Sequence, residues 1–358
     1  MSRSDWLRLA KTLLIGAAGG TFFYYLRMPL AWMMGAMVIC TLAALGGFKL
    51  LVPGRLRSVM ITILGVLLGS TFTPEALEKA AEWPITIAGL ALYLALVTSV
   101  LYLYFRRVMG YDAATAYFSA TPGGLNEMVI VGRAMGGDDR TIALVHGARI
   151  LLVVLTIPFW FRFVYGASSA NVSLGQVAGQ DGGWLGWYDL AILLGCAVVG
   201  LLVGWLLRLP AYRLVGPMLA SAAVHLAGLT RSVPPVELVS IAQVVVGCSV
   251  GARFSGVAIT RVLRTIGASV GSTTLMLGAT VAFAVALWQM TGIDFRAIVL
   301  AFAPGGLAEM TLIALALGIE TAFIATHHVI RIAMIVIAAP LVFRATRRRP
   351  PPAAPPPA

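Results

Sequence analysis

The sequence predicts an all-α polytopic membrane protein that consists of two inverted-topology repeats, with about ten transmembrane helices and two Pro-Gly-Gly re-entrant or broken segments. Three observations predict this fold class: the composition, the placement of charge and an internal duplication. Of the 358 residues, 59% are hydrophobic and 11% are charged, whereas a soluble domain carries roughly 25% charged residues. This composition excludes a soluble enzyme, a disordered regulator and a domain anchored by a single helix.

Twelve apolar segments follow one another along the chain. They lie at residues 12–26, 30–48, 58–72, 84–105, 113–136, 141–164, 187–207, 212–229, 236–252, 265–290, 295–318 and 321–343. Two of them are interrupted in the middle, one by Thr121-Pro122-Gly123-Gly124 and the other by Ala303-Pro304-Gly305-Gly306. Because proline removes a backbone donor and glycine loosens a helix, each interrupted segment predicts two half-helices around an unwound centre. Such a segment either crosses as a broken helix or turns back as a re-entrant hairpin.

The distribution of basic residues favours the hairpins. If both interrupted segments re-enter and the N-terminus is cytoplasmic, most Lys and Arg residues fall on the cytoplasmic side, including Arg347, Arg348 and Arg349. The acidic connection at residues 75–82 then lies outside. Cytoplasmic loops of membrane proteins carry an excess of Lys and Arg, so we predict ten crossings and two hairpins.

The two halves of the chain resemble each other at an offset of 181 or 182 residues. Residues 122–128, Pro-Gly-Gly-Leu-Asn-Glu-Met, recur at 304–310 with Ala308 in place of Asn126. The predicted organisation is a first membrane repeat at 1–164, an extracytoplasmic linker at 165–186, a second repeat at 187–345 and a basic, then Pro/Ala-rich disordered tail at 346–358. Five crossings in each half invert the second repeat relative to the first, which is an architecture of transporters.

The duplicated motif in a chain of this length resembles the AbrB-type membrane protein family, whose members carry labels such as ammonia monooxygenase or AbrB family regulator. The resemblance extends from about Leu13 to Phe343. It implies a duplicated, transporter-like protein of the bacterial inner membrane, and it implies no shared substrate. With the charge pattern, it places both termini in the cytoplasm.

Ionisable residues inside a membrane are costly and are candidates for function. The candidate substrate- and ion-binding residues are Thr121, Pro122, Gly123, Gly124, Asn126, Glu127, His146, Arg149, Pro304, Gly305, Gly306, Glu309, His328 and Arg331. Glu127 and Glu309 either bind Na⁺ or H⁺, or only complement a helix dipole and bond free backbone N–H groups. The glycine pairs either let the backbone approach a ligand or form a tight turn with positive φ.

Each His–Arg pair lies three residues apart on the next helix and therefore shares a face. The arginines either bind a substrate carboxylate or the motif glutamate, or form a structural Glu–Arg clamp between hairpin and helix. Asp112 and Asp294 are predicted to be N-caps of the first half-helices.

These features favour a secondary active transporter of a small polar or anionic solute, coupled to H⁺ or Na⁺, with an elevator-type motion as one form. The alternatives are a membrane protein with an indirect regulatory role on gene expression and a metal-dependent membrane oxygenase. A copper or iron centre needs a cluster of His or carboxylate ligands. Of the four His residues, His327 and His328 are adjacent and point to different faces of one helix, and the three Cys residues have no metal-ligand spacing. We therefore expect no enzyme activity, no metal site and no cofactor beyond a coupling ion. The expected partners are the solute and membrane lipid, without nucleic acid, and a homodimer is an open alternative.

Overall fold

The computed structural model describes residues 2–165, 186–257 and 259–346; most of these residues are helical, and none of them is in a strand. The first half contains eight helices and two short turns of other helix types. They are α1 (Arg3–Tyr25), α2 (Ala31–Leu45), α3 (Gly54–Gly69), α4 (Pro74–Glu78), a 3₁₀ turn (Lys79–Glu82), α5 (Trp83–Leu103), a π turn (Tyr104–Val108), α6 (Ala113–Ala120), α7 (Leu125–Ala134) and α8 (Asp139–Tyr165).

The second half has a similar order, without counterparts of α4 and of the π turn among its described residues. It comprises α9 (Trp187–Leu206), α10 (Tyr212–Leu226), α11 (Val236–Gly251), a 3₁₀ turn (Ala252–Phe254), α12 (Ile259–Thr291), α13 (Phe295–Phe302), α14 (Leu307–Ala316) and α15 (Thr321–Thr346). Both interrupted segments form two half-helices, as predicted: α6 with α7, and α13 with α14. Residues 166–185 of the predicted linker and 347–358 of the predicted tail lie outside the described residues.

Six helical stretches are long and apolar enough to cross a membrane. They are Pro74–Val108, Asp139–Tyr165, Trp187–Leu206, Val236–Phe254, Val262–Thr291 and Thr321–Thr346. The other four predicted crossings correspond to α1, which begins with charged residues, and to α2, α3 and α10, which have only 15 or 16 residues. Since 15 residues span roughly 23 Å, α2, α3 and α10 are shorter than a typical hydrocarbon core. The number of ten crossings stays a prediction.

The helices pack into two groups, and each group takes elements from both halves of the chain. In the first bundle, which we define as α1–α3 with α9–α11, α2 packs on α11 and α3 packs on α10. In the second bundle, α4–α8 with α12–α15, α8 packs on α12 and α5 packs on α15. The bundles meet where α14 contacts α3 and where α8 contacts α2.

Glycines form the helix crossings of the first bundle. Gly65 lies against the Leu214 carbonyl, and Gly247 lies against the Met33 carbonyl. A side chain at either glycine would overlap the backbone of the other helix. Small residues let helices in membranes approach closely, which explains why these glycines recur in the two halves.

The connection between the first two helices of each half also has matching geometry. Arg27 and Leu30 have positive φ angles of 53° and 49°, and Arg208 and Ala211 have 52° and 50°. Left-handed backbone is costly for residues other than glycine. The same unusual conformation therefore occurs at positions 181 residues apart.

Candidate functional site

Each hairpin begins at an aspartate, as predicted. The Asp112 carboxylate accepts hydrogen bonds from the backbone N–H groups of Ala114 and Thr115, at 3.0 and 2.9 Å. The Asp294 carboxylate accepts one from Arg296 at 2.8 Å. These are N-caps, and they fix where α6 and α13 start.

The glycine pairs let side chains approach the backbone closely, and they do not form a positive-φ turn. Gly123, Gly124, Gly305 and Gly306 are all absent from the positive-φ glycines of the described chain, so the turn alternative is wrong. A Cβ at Gly124 would overlap the Glu127 carboxylate, and the same overlap exists for the second hairpin. A carboxylate at the third position of a helix is favoured there by the exposed N–H groups and the dipole.

Glu309 is buried and Glu127 is partly buried. Within the described residues, no Lys, Arg or His nitrogen lies within 4.0 Å of either carboxylate. The predicted structural Glu–Arg clamp is therefore not formed. Both carboxylates lie at the start of a half-helix without a direct ion pair among the described residues.

His146 and His328 hold the first half-helix of their own hairpin. His146 Nε2 donates to the Phe118 carbonyl at 2.9 Å, and His328 Nε2 donates to the Leu300 carbonyl at 2.9 Å. Both imidazoles are fully buried. Because Nε2 carries the donated proton in each ring, Nδ1 is an acceptor in the neutral imidazole.

The two arginines differ in what they contact. Arg331 donates to the Ala303 and Gly305 carbonyls at 2.6 and 2.7 Å, so it fixes the unwound tip of the second hairpin. Arg149 Nη2 instead donates to His146 Nδ1 at 2.8 Å. The prediction that each His–Arg pair shares a helix face is confirmed for the first pair by this contact.

Arg57 and Arg253 lie in the same region, although no sequence pattern indicates it. Arg57, at the start of α3, interacts electrostatically with Glu309 and Glu127, and Arg253, after α11, interacts with Glu309. Arg253 also packs beside Gly147 of α8. Neither arginine is duplicated, because Val239 and Thr71 occupy the matching positions, so comparison of the two halves could not identify them.

The second half-helices differ in burial. All ten residues of α14 are buried, whereas Met128 and Gly132 are the buried residues of α7. The sequence accounts for this difference: Asn126 and Arg133 of α7 stand where α14 has Ala308 and Leu315. The two hairpins are therefore alike in backbone and unlike in environment.

Two cavities approach the hairpins from different ends. A mostly apolar groove of about 850 Å³ between α5 and α15 reaches Thr121 at the tip of the first hairpin. A cavity of about 560 Å³ lies at the end of α14 and contains the Lys79–Glu320 pair, whose atoms are 3.6 Å apart.

His327 has a structural contact of its own. Its Nε2 lies 2.8 Å from the Thr86 hydroxyl, and its Nδ1 donates to the Phe323 carbonyl at 2.8 Å. The contact between His327 Nε2 and the Thr86 hydroxyl joins α15 to α5 in the second bundle. Over the part of the chain that the structure describes, no group of three or more His, Cys, Asp or Glu side chains could hold a metal ion.

Comparison with known proteins assigns the chain to a family. The family model described as "Transition state regulatory protein AbrB" matches residues 32–347. The chain is 27% identical over 356 residues to "Uncharacterized protein YhjN" of Bacillus subtilis (strain 168), covering 92% of this chain and 91% of the relative. It is 27% identical over 325 residues to "Putative regulator AbrB" of Escherichia coli (strain K12), covering 90% and 91%. The chain therefore belongs to the AbrB family.

Proposed function

We propose that this chain is a secondary active transporter of a small polar or anionic solute, coupled to H⁺ or Na⁺. The observation that carries the proposal is the burial of Glu309, Arg149 and Arg331 around two helices that are interrupted by Pro-Gly-Gly. Interrupted helices with charged groups at the repeat interface are where transporters bind their substrates. Ionisable groups at this depth are costly to bury and are candidates for a binding site.

The proposed topology is ten crossings and two re-entrant hairpins in two inverted repeats, with both termini in the cytoplasm of a bacterial inner membrane. The matched glycine crossings and the matched left-handed residues support the duplication. In this topology the groove at Thr121 opens toward the cytoplasm and the cavity at Glu320 opens outward. We propose that the first bundle is the fixed part and that the second bundle carries the site, as in an elevator.

Glu127 and Glu309 are the proposed sites of coupling. A carboxylate that lacks an ion-pair partner takes up a proton or binds Na⁺ more readily than one held by an arginine. The proposal includes no enzyme activity, no resident metal or other cofactor and no nucleic acid partner; membrane lipid surrounds the chain. Self-association into a homodimer would not alter the site within one chain.

The test is a solute screen on proteoliposomes that contain the purified full chain, read by current and by a pH-sensitive dye. The Glu127→Gln/Glu309→Gln variant is the control for coupling, and Glu237→Gln, at an exposed residue of α11, is the matched control. We expect flux of at least one solute that the double variant lacks and Glu237→Gln retains. Flux that is equal in all three proteins would contradict the proposal.

The regulator names of the family and of the E. coli relative favour a second candidate, an indirect effect on gene expression. We place such an effect downstream of solute movement. A Glu127→Gln/Glu309→Gln variant that loses flux and keeps its full regulatory effect in cells would separate the two roles and favour the second.

A further inference from the structure

Arg149 and Arg331 occupy matching positions in the two halves and have different hydrogen-bond partners. Arg331 uses two nitrogens to hold the carbonyls of the second hairpin tip. Arg149 makes no hydrogen bond to the first hairpin tip, where the Thr121 amide oxygen accepts from the Gly123 N–H at 2.9 Å. The Arg149 guanidinium contacts its own helix instead, through His146.

The consequence is a buried guanidinium with unused donors. Arg149 is 4% exposed, and its Nε and Nη1 are buried without a hydrogen-bond partner among the described residues. Arg331 is 2% exposed and lacks a partner only at Nε. A buried cation normally has a charged or strongly polar partner, so the environment of Arg149 is incomplete.

No protein group nearby supplies the missing charge. Within residues 2–165, 186–257 and 259–346, no carboxylate lies within 4.0 Å of the Arg149 guanidinium. The charged group that interacts most strongly with it is Arg331, which repels it. Both guanidinium groups also lie near the phenol of Tyr93, so two positive charges from opposite halves lie close together at the centre of the second bundle.

The location of Arg149 is suited to a ligand. Arg149 lies on α8, the helix that follows the first hairpin, and the second half-helix of that hairpin, α7, starts at Leu125 next to the tip. The groove between α5 and α15 ends at Thr121, the residue that corresponds to Ala303, whose carbonyl Arg331 holds. A solute in this groove therefore reaches the tip that Arg149 leaves unbound.

We propose that Arg149 binds the anionic group of the transported solute, whereas Arg331, its duplicate, is a structural latch of the second hairpin. This inference rests on the proposed transport function and narrows its substrate to an anion. The Nε and Nη1 donors of Arg149 are unused, and a guanidinium forms strong charge-assisted hydrogen bonds with a carboxylate. The solute class that we propose is a small carboxylate, and monocarboxylates are the probes.

The experiment measures Tm of the purified full chain in detergent from its tryptophan fluorescence. The variants are Arg149→Gln and Arg331→Gln, with Arg149→Lys and Arg331→Lys as charge-conserving controls. The probes are sodium acetate, sodium lactate, sodium benzoate and inorganic phosphate, each compared with sodium chloride at equal ionic strength.

In chloride, Arg149→Gln is expected to keep or raise Tm because it removes an unpaired buried charge. Arg331→Gln is expected to lower Tm by roughly 5–10 °C because it releases two carbonyl contacts. At least one monocarboxylate raises Tm of the wild-type chain and of Arg331→Gln, and none raises Tm of Arg149→Gln. The Tm of Arg149→Lys rises with the same monocarboxylate, but by less than that of the wild-type chain. In chloride, the Tm of Arg331→Lys lies between those of the wild-type chain and Arg331→Gln.

Three results would overturn the inference. The first is an Arg149→Gln variant that is destabilised as strongly as Arg331→Gln, which would make Arg149 structural. The second is a wild-type chain that responds to no monocarboxylate, or only to phosphate. The third is Glu-dependent flux of a neutral or cationic solute that Arg149→Gln retains, which would leave the transporter proposal standing and remove only this one.

Discussion

The crossing of α3 and α10 yields the sharpest stability prediction, for Gly69→Ala. A Cβ at Gly69 would lie 2.5 Å from the Ser221 Cβ and 2.9 Å from the Ala222 amide nitrogen. Two of the atoms around it belong to the backbone of α10, so no side-chain rotation relieves the overlap and the helices have to separate. Gly278, on an exposed face of α12, has nothing within 4 Å of its Cβ position and is the matched control.

Overpacking costs about 1–3 kcal/mol, and the overlap with backbone places Gly69→Ala at the upper end of that range. Replacing glycine by alanine in a helix returns about 1 kcal/mol, which leaves a net loss of about 2 kcal/mol. Gly278→Ala creates no overlap, so it should only raise the free energy of unfolding, by about 1 kcal/mol. The two variants therefore differ by about 3 kcal/mol, a Tm difference of about 4 °C for a chain of this length.

The assay is thermal unfolding of the purified chain in detergent, followed by tryptophan fluorescence and by circular dichroism. Gly251→Ala, at the matching crossing of α11 and α2, should behave like Gly69→Ala, since its Cβ would lie 2.6 Å from the Cys40 Cβ and 2.8 Å from the Thr41 nitrogen. Equal Tm values for Gly69→Ala and Gly278→Ala would refute the close crossing.

Three further outcomes are expected. Asp112→Ala removes the N-cap of α6 and should cost about 0.5–2 kcal/mol of unfolding free energy, measured by the same melts, whereas Asp112→Asn should retain most of the stability. Thr86→Val leaves the buried His327 imidazole without its hydroxyl partner and should cost about 1–3 kcal/mol; Thr86→Ser is the control, and an unchanged Tm for Thr86→Val would show that the bond is not made. For the topology, a membrane-impermeant maleimide should label Glu78→Cys in intact cells and Lys49→Cys only after permeabilisation. The three native cysteines are buried, so background labelling is low, and the reverse pattern would invert the proposed orientation.

The pattern of apolar residues was sufficient to predict most of the fold. Each of the twelve apolar segments corresponds to a helix or to a pair of half-helices, because uninterrupted apolar runs have no other way to satisfy their backbone in a membrane. The breaks at Pro122 and Pro304 were also predictable, since proline cannot donate and clashes with the preceding turn. The caps at Asp112 and Asp294 follow from a side chain that accepts from the first free N–H groups.

The composition of the site was less predictable. Duplication identified Arg149 and Arg331 but could not show that one holds carbonyls and the other does not, because both sequences around them are alike. Arg57 and Arg253 lie just outside the predicted apolar segments at residues 58–72 and 236–252, where a basic residue usually faces water or lipid headgroups. Only the packing of the first bundle on the second brings them near Glu127 and Glu309.

The differences between matching groups are therefore the most informative part of this molecule. If the hairpins exchange environments during transport, the energy that separates the two states has to be small. The latch of Arg331 consists of two charge-assisted hydrogen bonds, each of which contributes about 1.5–3 kcal/mol. A difference of a few kcal/mol is also what separates populated from minor conformations. In the proposed mechanism, binding of one anion to Arg149 adds charge-assisted hydrogen bonds of the same energy, so a single ion pair would be sufficient to decide which hairpin is held.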